Sequence, residues 1–235
     1  VDSVAEHAAR CREDRDRLSG SRQKTEAASE QLAEIRAQQQ VTAAEISKAR
    51  RKAAPKLAAA VRERLAELAL ADASFAIEIE SDLDNPRATG CDTVEFLIAP
   101  NPGIAATPLR ETASGGELSR VMLALLTASG ARHDQTFVFD EIDAGIGGHT
   151  ARAVGEQLRV LGATRQVICI THLPQVAAAA RRHFQIEKSA GARSARADMR
   201  RLSDHDVVEE LCRMLGATGD DAGARRHAKE LLAAV

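Results

Sequence analysis

The chain has 235 residues, enough to bury one sizeable core with an elongated appendage. Its 32 Lys and Arg nearly balance 34 Asp and Glu, and the formal net charge of −2 gives no global signal for nucleic acid or membrane. Five Phe with no Trp or Tyr argue against base-stacking platforms, and no run approaches the roughly 18 apolar residues of a membrane span.

Cys11, Cys91, Cys169 and Cys212 lie far apart, without C-x-x-C or metal-type spacing. They read as reduced, mostly buried thiols of a cytoplasmic protein, although paired disulfides remain open. No secretory pattern is present, and the start at Val1 rather than Met predicts a fragment or a processed product.

Residues 1–54 are rich in Ala, Arg, Glu and Gln. Val1, Val4, Ala8, Cys11 and Leu18 follow a/d spacing, as do Thr25, Ala28, Leu32, Ile35, Gln39, Thr42, Ile46 and Ala49. Such heptads predict a coiled-coil arm, the alternative being a solvated helix lying on a globular body. The two registers are offset near Ser19-Gly20-Ser21, where a stutter or a chain reversal is predicted. Pro55 is predicted to open a fresh helix through Leu57, Val61, Leu65 and Leu68, beginning a second domain over 55–235. Gly20-Ser21-Arg22-Gln23-Lys24-Thr25 has the Lys-Thr ending of a phosphate-binding loop. It lacks the second Gly before the Lys and sits in a charged heptad pattern, so it is rejected.

From Ala73 the pattern turns to short strands. Phe75, Ile77 and Ile79 alternate with polar neighbours, and Val94 to Ile98 reads as a second strand that could pair with the first as a hairpin. After a Pro-Gly loop comes Ser114-Gly115-Gly116-Glu117, followed by a helix to about Ser129. Two glycines at a helix start leave N–H donors uncovered beside the positive end of the helix dipole, which suits phosphate; a tight turn with Ser114 as N-cap is the competing reading.

Thr136 to Phe139 is a continuous apolar run ending in Asp140-Glu141. Gln166 to Ile170 is another, ending in Thr171-His172. Helices over His149–Leu161 and from Pro174 alternate with them, which indicates an α/β core with parallel strands. The carboxyl ends of both strands then share one edge, where ligands bind in such sheets. There Asp140 can hold Mg²⁺ directly or through water, Glu141 can deprotonate an attacking water, and His172 can donate to a phosphoryl oxygen. Phe184 to Glu187 and the Arg-rich segment after Gly191 read as a peripheral hairpin, and two helices close the chain. Arg181, Arg182, Lys188, Arg193, Arg196, Arg200 and Arg201 make this region basic, either to track DNA phosphates or as a solvated surface.

Together these strings resemble a known family. Ser114-Gly115-Gly116-Glu117 resembles the signature motif of ABC-type ATPase heads, Phe137 to Glu141 their Walker B, Asp143 their D-loop residue and His172 their switch histidine. The longer strings Ala113–Arg120, Phe139–Gly148 and Thr171–Ala178 resemble the RecN family of bacterial SMC-like repair ATPases, as do Val94–Gly103 and Arg213–Gly216.

That resemblance implies the C-terminal lobe of an ABC-type head preceded by an antiparallel coiled-coil arm, using ATP and Mg²⁺. The Walker A, absent here, would lie in the N-terminal half of the same protein. Ser114, Gly115, Gly116 and Glu117 would act in trans on the nucleotide of a second head in a homodimer, and Asp143 would cross that interface. Asp140, Glu141 and His172 would serve the chain's own nucleotide. DNA bound without sequence preference, a cytoplasmic, nucleoid-associated location and no turnover by this chain alone are further implications. The alternative is a head and coiled-coil module of another SMC-like chromosome-maintenance protein that binds nucleotide without turnover.

Overall fold

The structure is a computed structural model that describes residues 2–111, 114–130, 135–190, 195–217 and 221–234. It divides into two compact units: one joins residues 1–53 with 79–94, and the other joins 54–78 with 95–235.

The first unit contains most of helix α1, Asp2–Glu67. Its Ala-, Glu-, Arg- and Gln-rich sequence favours helix throughout. The helix passes through Ser19-Gly20-Ser21 without reversal, and Pro55 lies inside it rather than opening a new one. Pro55 denies the carbonyl one turn back its donor, yet the helix continues. Up to residue 53 only Ala43 and Ser47 are buried among the described side chains, and the expected seam residues Leu18 and Ile35 are 65% and 60% exposed. Leu18 and Ile35 thus stand uncovered among the described residues, while Gln39 donates to the Pro86 carbonyl (3.5 Å) and Ile46 lies beside Gly90.

The unit is tied by a polar cluster. Asp92, with its side chain fully buried, accepts from Arg50 Nη1 (2.9 Å) and from Ser81 Oγ (2.7 Å). Arg50 also donates to the Thr89 carbonyl (2.8 Å), and Arg51 donates to Ser81 Oγ (2.7 Å). The Ser81 hydroxyl foremost, then the Arg50 guanidinium, hold the Asp92 carboxyl well below the usual carboxylate range against the opposing effect of burial. Gly90 turns the chain at φ 101°, where a side chain would be strained and its Cβ would lie 3.2 Å from Arg50 Nη1.

The second unit is built on the last turns of α1, whose Val61 and Leu65 are wholly buried with Leu68 just beyond. Of the sheet ordered β1 (Ser74–Ser81), β2 (Asp92–Ala99) and β3 (Thr107–Pro108), this unit holds residues 74–78 and 95–99 and all of β3, with Leu97 opposite Pro108 in the antiparallel β2–β3 pair. The third strand is unannounced by the sequence pattern. Phe75 and Phe96 stack with ring centroids 5.9 Å apart.

Helix α2 (Gly115–Ala128) buries Val121, Leu123, Ala124 and Leu125 in the same core. Strands β4 (Thr136–Phe139) and β5 (Gln166–Cys169) pair in parallel with Phe139 opposite Cys169, and helix α3 (Gly148–Gly162) forms the crossover. The expected α/β arrangement with parallel strands is thus present. One face of the pair packs Phe137, Phe139, Val167 and Cys169 against the core. The other leaves Val138, Ile168 and Ile170 exposed.

Helix α4 (Pro174–Ala177) leads to the antiparallel hairpin of β6 (Phe184–Ala190) and β7 (Ala195–Arg201). Helices α5 (Asp204–Met214) and α6 (Ala222–Ala233) pack on each other through Val207, Leu211, Ala228 and Leu231.

Candidate functional site

The parallel register fixes the geometry of the site. Because Phe139 sits opposite Cys169, with the ladder continuing from Ile170 N to the Phe139 carbonyl (2.9 Å), both chains leave the sheet at the same edge. Asp140-Glu141 and Thr171-His172 follow directly. The strands form because each is a short apolar run whose alternate residues reach the core, and each ends where polar side chains begin.

Asp140 and Glu141 are exposed. Asp140 Oδ1 accepts from the Glu141 N–H (3.0 Å), and Ser119 Oγ donates to the Asp140 carbonyl (2.9 Å). Glu141 adopts a left-handed backbone at φ 55°, uncommon for a residue with a side chain, and its carbonyl accepts from Ala144 N (3.0 Å). An exposed carboxylate at a strand end matches Mg²⁺, which takes one or two carboxylates and keeps several waters.

The Ser-Gly-Gly stretch meets this turn. Ser114 is the N-cap of α2, and its hydroxyl accepts from Glu117 N (3.4 Å), so the capping reading holds for the Ser114 side chain. A Cβ placed on Gly115 would lie 2.8 Å from Glu141 Oε2, and one on Gly116 would lie 3.0 Å from both the Glu141 carbonyl oxygen and Ala144 Cβ. The glycines therefore permit α2 to begin directly against the turn that carries Glu141. Ala113 lies outside the described residues.

Asp143, expected at an interface between heads, is buried within this chain, 3% exposed. Its Oδ2 accepts from Thr171 Oγ1 and from the His172 backbone N–H (2.9 Å), and His172 Nδ1 lies 3.1 Å away. A carboxylate four residues beyond a strand end reads as solvent-facing, but here donors 28 and 29 residues away enclose it. His172 keeps its ring 74% exposed.

Three further residues shape the site. Arg120, buried within α2, donates from Nη1 to the Ala144 carbonyl (3.0 Å) and, more weakly, to that of Ile142 (3.4 Å). Ser119 holds the Asp140 carbonyl, and Thr171 bridges Leu173 N (3.0 Å) to Asp143. The available sequence signal was Arg120 itself, a charge beside the apolar run Val121–Leu126. Behind the site, burial foremost and then the Asp143 and Asp140 carboxylates push the Cys169 thiol up to about 12.

The hairpin lies where the sequence pattern puts it. Arg193 lies outside the described residues, as do the side chains of Lys188 and Arg196. Arg200 is engaged by Gln185 (3.2 Å) and Asp206 (3.4 Å), whereas Arg181, Arg182 and Arg201 are exposed. Among the described residues Phe184, Ile186 and Met199 are exposed on one face of the ribbon.

Comparison with known proteins narrows what this edge belongs to. No protein-family profile matches the chain. The chain is 41% identical to the DNA repair protein RecN of Mycobacterium leprae, over 99% of its own length and 43% of that protein. It is 35% identical to RecN of Halalkalibacterium halodurans over 99% of its length and 42% of that protein, and 43% identical to RecN of Streptomyces coelicolor over 80% and 35%. Its curated homologues are RecN proteins. The chain spans less than half the length of these RecN relatives. Among solved structures it is similar to the Smc head domain with a coiled coil and joint of Pyrococcus yayanosii, at 20% identity and a TM-score of 0.47, covering 68% of this chain and 28% of that one. Among the described residues no helix is long and apolar enough to cross a membrane.

Proposed function

We propose that the chain is the C-terminal lobe of the ATPase head of a RecN-type DNA repair protein, with the adjoining arm of its coiled coil. The observation that carries this reading is the shared sheet edge, where two in-register parallel strands deliver Asp140-Glu141 and Thr171-His172 while Gly115 abuts Glu141. In this reading Asp140 holds Mg²⁺, which supplies charge neutralisation at the phosphates. Glu141 accepts the proton of the attacking water, and His172 contacts the γ-phosphate. Phosphoryl transfer asks mainly for positioning and charge stabilisation, and this edge offers both.

The rest of the machine comes from elsewhere. A parallel sheet is normally covered on both faces, and the exposed Val138, Ile168 and Ile170 mark the face that another segment of the protein covers. That segment, the N-terminal half, brings the Walker A. Two ATP-bound heads dimerise, and Ser114, Gly115, Gly116 and Glu117 reach the nucleotide of the opposite head, assembling a site that neither head contains alone. The complete protein works in the bacterial cytoplasm at the nucleoid. It repairs DNA double-strand breaks by recombination and holds DNA without sequence preference through phosphate contacts, Arg181, Arg182 and Arg201 among them.

The deciding experiment is Glu141→Gln in the complete protein. Loss of steady-state ATP hydrolysis with retained ATP binding and accumulation of closed, dimerised heads is expected. Hydrolysis at the wild-type rate removes Glu141 from the role of base.

A further inference from the structure

Asp143 has a task within its own chain. Its side chain is almost wholly buried; a single oxygen, Oδ2, accepts from Thr171 Oγ1 and from the His172 backbone N–H at 2.9 Å, and His172 Nδ1 lies 3.1 Å from it. An ionised carboxylate only accepts hydrogen bonds, so the imidazole nitrogen facing it is the one that bears the proton. We infer that Asp143 is a positioning residue that holds His172 in the Nδ1–H tautomer and aims Nε2 out of the protein toward the ligand. This rests on the proposed nucleotide site for its purpose, though not for its geometry.

The other contacts show why the ring is held rather than merely near. Leu173 N donates to Thr171 Oγ1 (3.0 Å), and Thr171 passes that bond on to Asp143, so the backbone before and after His172 is fixed on the same carboxylate. The ring itself stays 74% exposed, leaving Nε2 free to meet a ligand. In this tautomer the neutral ring presents a lone pair at Nε2. A hydrogen bond from Nε2 to a phosphoryl oxygen then requires the imidazolium form, whose positive charge the Asp143 carboxylate faces across the ring. Asp143 thereby determines which atom of His172 is available and in which role, as a buried carboxylate does for a histidine in an acid–base pair.

The test reads the tautomer directly. ¹⁵N–¹H correlation spectra of the complete protein without nucleotide, taken on the alkaline side where the ring signals no longer change with pH, are expected to show His172 protonated at Nδ1. Asp143→Ala is expected to lose that preference, and Asp143→Asn to retain it, because an amide oxygen can accept at the same point. A wild-type His172 protonated mainly at Nε2 overturns the inference whether or not either variant folds. In the same protein Asp143→Ala is expected to lower kcat for ATP about 10- to 100-fold with KM little changed. An unchanged kcat alongside a lost tautomer also overturns the positioning role. Absence of hydrolysis in the wild type, with the Nδ1–H tautomer in place, counts against the ATPase reading alone.

Discussion

Replacing Gly116 by Ala places a methyl group where the structure has no room. The new Cβ lies 3.0 Å from Ala144 Cβ, 3.0 Å from the Glu141 carbonyl oxygen and 3.4 Å from Arg120 Nη1. Carbon atoms rest at about 3.5–4.0 Å from one another, so the turn or the helix must move by several tenths of an ångström. The turn resists: Ala144 N is bonded to the Glu141 carbonyl, and Arg120 grips the Ile142 and Ala144 carbonyls. Overpacking of this kind costs about 1–3 kcal/mol, while exchanging Gly for Ala in a helix returns at most about 1 kcal/mol, less in a first turn. A net loss of about 1–2 kcal/mol follows. Gly115→Ala differs, because its Cβ meets only the tip of the exposed Glu141 side chain, which can swing away; a change within about 0.5 kcal/mol is expected. Urea unfolding followed by circular dichroism should lower the midpoint for Gly116→Ala at constant m and leave Gly115→Ala near wild type. Adding Ala144→Gly to Gly116→Ala should restore part of the loss. A Gly116→Ala midpoint at or above wild type, or a larger loss for Gly115→Ala, refutes the packing argument.

Two further predictions concern other parts of the chain. With its thiol pushed up to about 12, Cys169 carries about a thousandfold less thiolate at neutral pH than a thiol at 9.0. Iodoacetamide with peptide mapping should label the exposed Cys11 well before Cys169, and equal labelling rates in the native chain defeat that expectation. Asp92 titrates below its unfolded value, so its contribution to stability is complete above the unfolded value near pH 4 and is lost as pH falls from about 5 through its folded value. Amide protection factors over residues 79–94, corrected for the intrinsic pH dependence of exchange, should therefore fall on acidification, and Asp92→Asn should show low protection already at pH 7 with little further change. An unaltered acid dependence in that variant shows that another group is responsible.

Most of the second unit was legible because its elements are short and strongly patterned. The runs ending at Phe139 and Cys169 are apolar and bounded by polar residues, and the helices between them repeat Ala, Val and Leu at helical spacing. What escaped depended on partners distant in sequence. Pro55 reads as a helix start, but Val61 and Leu65 beyond it are wholly buried, and core packing sustains the helix through the missing hydrogen bond. The grouping of residues 79–94 with the arm depends on Arg50 and Ser47 meeting Asp92 and Ser81, which no local period encodes. Alternation in the β6–β7 hairpin shows which residues share a face but not which face is covered. The same holds for Asp143, whose partners, two donors and the His172 ring, come from just beyond the end of the neighbouring strand.

The turn from Asp140 to Ala144 joins these observations into one argument about the Ser-Gly-Gly stretch. Glu141 holds a left-handed backbone that costs a non-glycine residue of order 1 kcal/mol or more, and such strain persists only where neighbours fix it. Asp140 Oδ1 takes its N–H, Ala144 N takes its carbonyl, and Arg120 pins the carbonyls that follow. The result is a carboxylate beside the start of α2, where uncovered N–H groups and the helix dipole favour negative charge. Glu141 thus occupies the electrostatic position that first made Ser114 to Gly116 look like a phosphate site. If a nucleotide of an opposing head reaches these glycines, its γ-phosphate and the Glu141 carboxylate compete for the same positive end, and one must yield. Glu141 can yield at little cost, since its side chain is exposed and its backbone rather than its carboxylate carries the fixing bonds.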